Sequence, residues 1–446
     1  MAVAGVCIAF TDPLLEPSPS WTRLDTTDNL VARYSIQRGR TDELERTPTG
    51  TATVEFNDTQ GLLDPTNVSS PYWGLVDGKQ AAIGLWNPVT SAWTTVFRGF
   101  IEGYDVTVDP SQVTSRVSLG LVDALDYLAG VEMTTYPAFG NALPADVDAG
   151  NIYYGDTTRS RVGVVFTVQD RIEAALADAG WPTALQTIFS GNVTVQDTVY
   201  APRSTTLQAI EDAADAEFAG GVANIYVSKD GKITFHGRLA DAEPDVVAAS
   251  AGASWNYTVW KAGDGAAILA DSSTAQIREL SFSRSRKGIV NSASATAQGI
   301  ADSAIAAQLV EDTTSQGLYG VRSWSAENLL TATGLLTGNQ PEAETKLFAT
   351  YMVDNYKEPR TRVNRISFKS IDPSDSRAAA TWDLICGIEI SDTISLITSH
   401  PGGGGFSEDF RVQGLTYDVE PLNPDYPLVT LTVDVSPVPY YGLAFT

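Results

Sequence analysis

Only two histidines occur in the 446 residues, His236 and His400, and neither has a His, Cys or carboxylate at metal-ligand spacing. That scarcity nearly excludes a Ser-His-Asp or Cys-His catalytic site on count. The sequence holds no H-E-x-x-H, no G-x-S-x-G elbow, no Walker A motif and no dinucleotide-binding glycine pattern. Cysteine is as rare: Cys7 and Cys386 lie far apart and form no C-x-x-C pair. Two reduced thiols in a protein made in a cytoplasm is the favoured reading, with one long-range disulfide as the alternative. No apolar run approaches the roughly 18 residues of a membrane span. The opening MAVAGVCIAFTDPLLEP lacks a basic leader and soon meets proline, so no signal peptide is expected. Basic residues are scarce too, 29 against 54 acids for a net charge of −25, which argues against a face built to grip phosphate. Acidity of this kind also serves solubility alone. No cofactor is expected, and no catalytic, cofactor-binding or metal-binding residue is assigned.

What is present is ample apolar material for packed cores, in a length that suits two to four domains at roughly 100–200 residues each. From Trp21 to Leu128 apolar and polar residues alternate in short runs (TATVEF from Thr51, AAIGLW from Ala81, WTTVF from Trp93, GFIEGYDVTV from Gly99, RVSLGLV from Arg116) broken by Pro, Gly, Asn and Asp. A period of two with such breaks predicts an antiparallel sheet or barrel. Residues 134–161 lack a clear period and read as a surface loop or partner-binding arm. The period then becomes helical over Val168–Ala179, where Ile172, Ala175, Leu176 and Ala179 share one face before Gly180 and Trp181-Pro182. A second helix is predicted over Thr205–Phe218, after Ser204 as a cap. A hairpin follows, Asn224–Ser228 and Ile233–His236 around Lys229-Asp230-Gly231-Lys232. Residues 239–276 read as a linker, 277–295 as strand, Glu342–Tyr356 as a helix, and Arg362–Thr432 as strands.

One pattern recurs. Phe97-Arg98 followed by Tyr104-Asp105-Val106 returns as Phe410-Arg411 followed by Tyr417-Asp418-Val419, at the same spacing. Each copy runs through a Pro-containing turn (Asp109-Pro110, Asn423-Pro424) into a V-x-L-x-[LV] strand, Val117–Leu121 and Val429–Val433, and each is preceded by a strand, TATVEF and RVNRISF. A real repeat would place two copies of one β-domain in the chain, so that three chains imitate a ring of six. Chance similarity of two hairpins is the competing reading.

Other motifs read blandly. Asn57-Asp58-Thr59-Gln60-Gly61 with Asp64 lacks the acidic spacing of an EF-hand and reads as a turn. Asp372-Pro373-Ser374-Asp375 is a second such turn, and Pro401–Gly405 is the tip of a hairpin. Arg278, Arg284, Arg286, Lys287, Arg360, Arg362, Arg365 and Lys369 form a basic group in an acidic chain. It reads either as a subunit contact by charge complementarity or as a solvated face.

Taken in order, Arg38-Gly39-Arg40 with Glu43-Leu44, Gly50–Val54, Asn57-Asp58 to Gly61, Asp64-Pro65, Pro71-Tyr72-Trp73-Gly74 and Phe97-Arg98-Gly99 resemble the opening of siphophage minor tail proteins, notably those of actinobacterial hosts. Leu176–Pro182 and Ser204–Gly237 resemble the connecting module of tail hub proteins. Ser315–Arg322, the helix near 342–356, Leu384–Leu396 and Phe410–Val419 resemble a second tube-like domain. The resemblance implies a mainly β fold with an α+β insert: two tube-like antiparallel β-barrel domains joined by a small α+β module. The corresponding boundaries are 1–133 (first tube-like domain with an N-terminal arm), 134–162 (loop or arm), 163–240 (connecting module), 241–276 (linker) and 277–446 (second tube-like domain).

It implies a structural, non-enzymatic hub at the tail tip of a virion, synthesised in the host bacterial cytoplasm. Such a hub would be a homotrimer that meets the tail tube or a distal tail protein ring on one side and tail-tip, tape-measure or fibre proteins on the other. DNA would pass it without specific binding, along an acidic lumen, and no membrane span is involved. Three rivals stay open: a distal tail protein forming a hexameric ring with one barrel, a tail-associated glycan hydrolase working through a carboxylate pair, and a receptor- or carbohydrate-binding module using Tyr136, Tyr153, Tyr154 or Trp181.

Overall fold

A computed structural model describes residues 5–437 apart from 26–28, 65, 73–77, 110–113, 134–151, 155–166, 197, 202, 219–222, 238–256, 260–274, 276, 285–287, 299–307, 335–339, 360, 400–404 and 422–425. The predicted features at Tyr136, Trp73-Gly74, Gly220-Gly221, Arg286-Lys287, Arg360, His400, Gly402–Gly404, Asn423-Pro424 and much of the 134–162 arm and the 239–276 linker lie outside the described residues.

The first third is strand-rich: β1 (Val6–Ile8), β2 (Thr22–Arg23), β3 (Asn29–Gly39), β4 (Thr51–Asp58), β5 (Gln80–Asn87), β6 (Ala92–Asp109) and β7 (Thr114–Val122), closed by helix α1 (Ala124–Gly130). The alternation in TATVEFND is what orients β4, because Ala52, Val54 and Phe56 turn inward while Thr51 and Thr53 face out. The middle comprises β8 (Ile152–Tyr154), α2 (Val168–Asp178), β9 (Gln186–Ile188), β10 (Val193–Val195), β11 (Thr198–Tyr200), α3 (Thr206–Asp215), β12 (Asn224–Val227) and β13 (Ile233–His236). A Thr167/Asp170 capping box starts α2, and Thr205 rather than Ser204 caps α3, its hydroxyl accepting from the Gln208 amide. The rest comprises β14 (Tyr257–Val259), β15 (Ile277–Arg284), β16 (Ser292–Ala297), β17 (Val310–Glu311), α4 (Thr313–Tyr319), β18 (Ser323–Leu329), β19 (Thr331–Gly334), α5 (Pro341–Tyr356), β20 (Thr361–Lys369), α6 (Ala378–Gly387), β21 (Thr393–Ser399), β22 (Gly405–Glu420) and β23 (Leu428–Pro437).

Two strands fall inside segments expected to be irregular: β8 pairs with β11, and β14 pairs in parallel with β21. Two helices, α1 and α6, stand where only strands were expected. Both are short apolar stretches too brief to show a period; α1 packs on α3 and the β12–β13 hairpin, and α6 on β5 and β6.

Thirteen strands form one sheet, ordered β15-β20-β23-β22-β3-β4-β7-β6-β5-β1-β2, with β21 beside the first half of β22 and β14 beyond it. Two units of the same topology lie inside it. In the first, the spatial order is β3-β4-β7-β6-β5; in the second it is β15-β20-β23-β22-β21, and all neighbours within each are antiparallel. The recurrent sequence pattern occupies equivalent places: Tyr104 faces Leu119 and Val106 faces Val117, as Tyr417 faces Leu431 and Val419 faces Val429. Among the described residues no pairing closes either unit on itself. Instead β22 joins β3, so the two units run on as one sheet.

A single core spans both units, with Val54, Phe56, Phe97 and Leu119 from the first, Ile366, Phe368, Leu415 and Leu431 from the second, and Trp382 and Ile385 of α6. A second core joins α2, α3 and the β12–β13 hairpin to α1 through Ile172, Leu176, Ile210, Phe235 and Leu128. A third packs Phe348 and Met352 of α5 on Ala293 and Ala295 of β16.

Candidate functional site

Several of the stretches singled out in sequence, Arg38-Gly39-Arg40 with Glu43, the Lys229–Lys232 turn, Leu384–Leu396 and Phe410–Val419, meet where the two sheet units and the α+β insert come together. Arg38 and Arg40 lie near the end of β3 and just beyond it, and both are buried. Between them Gly39 has φ +81 and sits directly opposite Gly414 of β22. A Cβ on Gly39 would stand 2.3 Å from the Gln413 carbonyl oxygen, and one on Gly414 would stand 2.6 Å from that of Arg40. The union of the units therefore requires glycine on both strands. Gln413 is the bulged residue of β22 against β23, which bends the strand just where it leaves β21 and takes up β3.

Charged and polar side chains lock the same place. The Arg38 guanidinium donates through Nη1 to Glu389 Oε1 (2.8 Å) and to the Val227 carbonyl (3.2 Å). Glu389, between α6 and β21, also accepts from the Lys229 amide (2.7 Å), and Lys229 Nζ donates back to the Gly387 carbonyl (2.7 Å). Burial works against the Arg38 charge, but the Glu389 carboxylate, together with Tyr417 and Tyr226, holds the guanidinium above its ordinary value. Arg40 donates through Nε to Gln413 Oε1 (2.8 Å) and through Nη1 to the Glu45 carbonyl (2.9 Å); burial pulls it down to about 10. Thr47 donates to Asn224 Oδ1 (3.1 Å), and Asn224 donates to Ser391 (3.2 Å). The Tyr356 hydroxyl donates to Glu43, tying α5 to the same loop, and Arg46 reaches Glu211 and Asp215 of α3. One segment of first-unit chain, 38–47, thus touches every other part.

This arrangement offers rigidity rather than reactivity. His236 is enclosed by Phe189 and Tyr226 and pushed by burial down to about 3. Cys7 and Cys386 are both free and buried, so no disulfide joins them, and burial pushes the Cys386 thiol up to about 12. Among the described residues no group of His, Cys, Asp and Glu is placed to hold a metal ion. The Asp58 carboxylate accepts from the amides of Gln60, Leu62 and Leu63, which is the chemistry of a turn.

Of the aromatic platform residues, Trp181 is buried against Phe100 and Tyr127 with its indole N–H on the Leu185 carbonyl, so it presents no face; Tyr153 and Tyr154 lie in β8. Of the basic group, β15 and β20 pair over Ile277–Arg284 and Thr361–Phe368, which sets the strand carrying Arg278 beside the one carrying Arg365 and Lys369, and Arg365 binds Asp434 at 3.0 Å; Arg286, Lys287 and Arg360 lie outside the described residues. Sequence reasoning missed Glu389, Gln413 and Ser391. The one available signal was the Gln413-Gly414 break in an otherwise alternating strand.

No family model matches the chain, and no curated protein matches it. Solved structures do. The tail protein from Neisseria meningitidis MC58 superposes over 96% of both chains at 12% identity with a TM-score of 0.51. The chain has the fold of that tail protein. The 43 kDa tail protein of prophage MuSo2 from Shewanella oneidensis aligns over 96% of this chain and 98% of its own at 10% identity, TM-score 0.49. Prophage tail protein gp18 from Listeria monocytogenes EGD-e aligns over 96% and 94% at 10% identity, TM-score 0.45. Among the described residues no helix is long and apolar enough to cross a membrane.

Proposed function

We propose that the chain is a structural, non-enzymatic subunit of a phage-type tail, a hub at the tail tip that joins a sixfold tube to a threefold tip. The observation that carries this reading is the duplicated five-strand unit, β3-β4-β7-β6-β5 and β15-β20-β23-β22-β21, held in one chain by a single strand pairing. Two like units per chain let a homotrimer present six to its tube-side neighbour and three to the tip. In this reading residues 1–133 and 277–446 supply the two tube-like domains, each completing a barrel-like wall with neighbouring copies, and 163–240 connect them. The partners are a tail tube or distal tail protein ring on one side and tip, tape-measure or fibre proteins on the other. DNA passes through the lumen without specific binding, past a wall to which the net charge of −25 contributes repulsion.

Light scattering on the purified chain, with images of the assembled tail, tests the proposal. It predicts the mass of three chains and threefold symmetry at the tip. A ring of six chains would favour a distal tail protein, and a lumen lined by neutral or basic residues would remove the slippery-channel role.

A further inference from the structure

We infer that two strand edges left open in the chain, the Gly103–Val108 stretch of β6 and the outer side of β15, pair with each other between copies, β6 of one copy against β15 of the next. The inference rests on the hub reading for the number of copies, and it names the contact that joins them.

The first observation is the edges themselves. On one side β6 pairs with β5 as far as Phe100, and Ile101 beyond it is taken up by the Gly78 amide and the Lys79 carbonyl. From Gly103 onward β6 has β7 on its other side and, among the described residues, no strand on this one. Likewise β15 pairs with β20 and, among the described residues, with no strand beyond. An open edge presents a row of amides and carbonyls that another extended backbone matches.

The second observation is that the chain already makes this contact once. Register places β3 and β15 in equivalent positions: Tyr34 faces Val54, which faces Leu119, and Ile277 faces Phe368, which faces Leu431. In the same way β6 and β22 correspond through Tyr104 and Tyr417, opposite Leu119 and Leu431. In the second unit the edge of β22 is filled by β3, with Tyr417 opposite Ile36, Asp418 opposite Ser35 and Val419 opposite Tyr34. The same register carried to the open edges sets Tyr104 opposite Leu280, Asp105 opposite Glu279 and Val106 opposite Ile277. Each chain thus holds one filled joint and the two halves of another, with six strands between those halves in its sheet order. Joined head to tail, within-chain and between-chain joints alternate, and three chains close a ring of six units.

The third observation is burial. At the filled joint Tyr34, Ile36, Tyr417 and Val419 are all 6% exposed or less. Their counterparts Ile277, Leu280, Tyr104 and Val106 pack against the same core but are only partly buried, and Val108, next in line on β6, is 58% exposed. The open edges therefore leave apolar surface in water that the equivalent pairing removes at the filled joint. The solvent-facing side opposes this drive, because Asp105 and Glu279 would stand directly opposite as like charges where the filled joint has Asp418 and Ser35. Salt screens that repulsion, so association should strengthen as salt is raised.

The test uses the full chain carrying Asp105→Cys and Glu279→Cys together. Both positions are exposed, the native Cys7 and Cys386 are buried, and directly opposed residues of an antiparallel pair lie within disulfide reach. Mild oxidation is expected to give linked chains that run up to three on a non-reducing gel. A mixture of the two single variants should give linked pairs only, and moving the second cysteine to Ser281 should remove the link. In sedimentation, Leu280→Glu should weaken self-association at least about tenfold while leaving the circular dichroism of the parent. Glu279→Ser, which copies the filled joint, should strengthen association roughly two- to fivefold and abolish the gain with salt. Three copies by mass with no link in the double variant, or parent-like association of Leu280→Glu, would overturn the seam and leave the hub reading standing. Links that run on to six chains would uphold the seam and overturn the threefold hub. A chain that neither links nor associates would overturn both.

Discussion

The two sheet units share a topology yet solve the same burial problem differently. In the first, β4 to β5 and β5 to β6 are joined with no named helix or strand between them, and the buried end of β7 runs into α1. The second interrupts itself twice, placing β16–β19 with α4 and α5 between β15 and β20, and α6 between β20 and β21. Helix α6 belongs to the second unit in sequence but packs against β5 and β6 of the first, where Trp382 is fully buried with its indole N–H on the Ile371 carbonyl (3.0 Å). Neither unit therefore owns its core. The shared topology sets out the strands, and a difference between the units makes the joint: in the recurrent pattern Gly414 stands where the first unit has Ile101, and a Cβ at 414 would meet the Arg40 carbonyl as β3 comes alongside β22.

The largest effect is expected where this asymmetry is buried. Glu389→Gln leaves Arg38, 1% exposed at its side chain, beside a neutral partner, and should cost about 3–5 kcal/mol by urea unfolding. A cost near zero would mean that the packing of Trp382 and its neighbours, rather than the polar lock, joins the units. Next comes the glycine pair. Gly39→Ala meets both the positive φ and the Gln413 carbonyl, and should lose about 3 kcal/mol or more or fail to yield folded protein. Gly103→Ala, in the first copy's long strand with open space around its added Cβ, should stay within about 0.5 kcal/mol. Equal effects of the two substitutions would deny that Gly39 is special to the joint.

How much of this could be read beforehand follows from the range of the interactions involved. Period-two alternation in β4, β6 and β23, the Asp230-Gly231 turn and the helical face Ile172–Leu176 are local, and sequence displays them. The repeat around Tyr104 and Tyr417 was visible because it preserves spacing within one hairpin. The union of β22 with β3 was not, since the two strands lie over 370 residues apart and pairing leaves no trace in either alone. Helix α6 was hidden for a related reason: in AAATWDLICG nearly every residue is small or apolar, with Asp383 as the one charge, so its exposed side carries too little polarity to show a stripe. The Arg38-Gly39-Arg40 motif is plain in the sequence, but its role depends on Glu389 and Gln413, which come from the far end of the chain.

A smaller effect should appear in the pH dependence of the joint. Asp392 ends the turn that leads into β21, accepts from the Glu389 amide (2.8 Å), and is pushed by burial up to about 7. Its pKa in the folded state exceeds that of the unfolded chain, so the folded form holds its proton more tightly. Stability from this group is complete below about pH 4 and declines as pH rises to about 7. Asp392→Asn should flatten that decline by roughly 1–2 kcal/mol between pH 5 and pH 8, measured as urea midpoints against the parent chain. An unchanged slope would mean that the carboxyl is already neutralised by Lys229.

The smallest effect sharpens the comparison by holding chemistry constant. Arg33 and Glu55 join β3 to β4 at 2.6 Å, a shorter contact than the 2.8 Å of Arg38 with Glu389 on the same strand. Distance alone would rank the first pair higher. Yet its side chains are 66% and 37% exposed, against 1% and 17% at the joint, and water screens an exposed pair while also solvating either partner left alone. Glu55→Gln should therefore leave the unfolding midpoint unmoved at low and high salt, although it removes the same charge from the same sheet as Glu389→Gln. A matched loss at both positions would show that the sheet responds to charge wherever it sits, and the case for burial as the source of the joint's strength would fail.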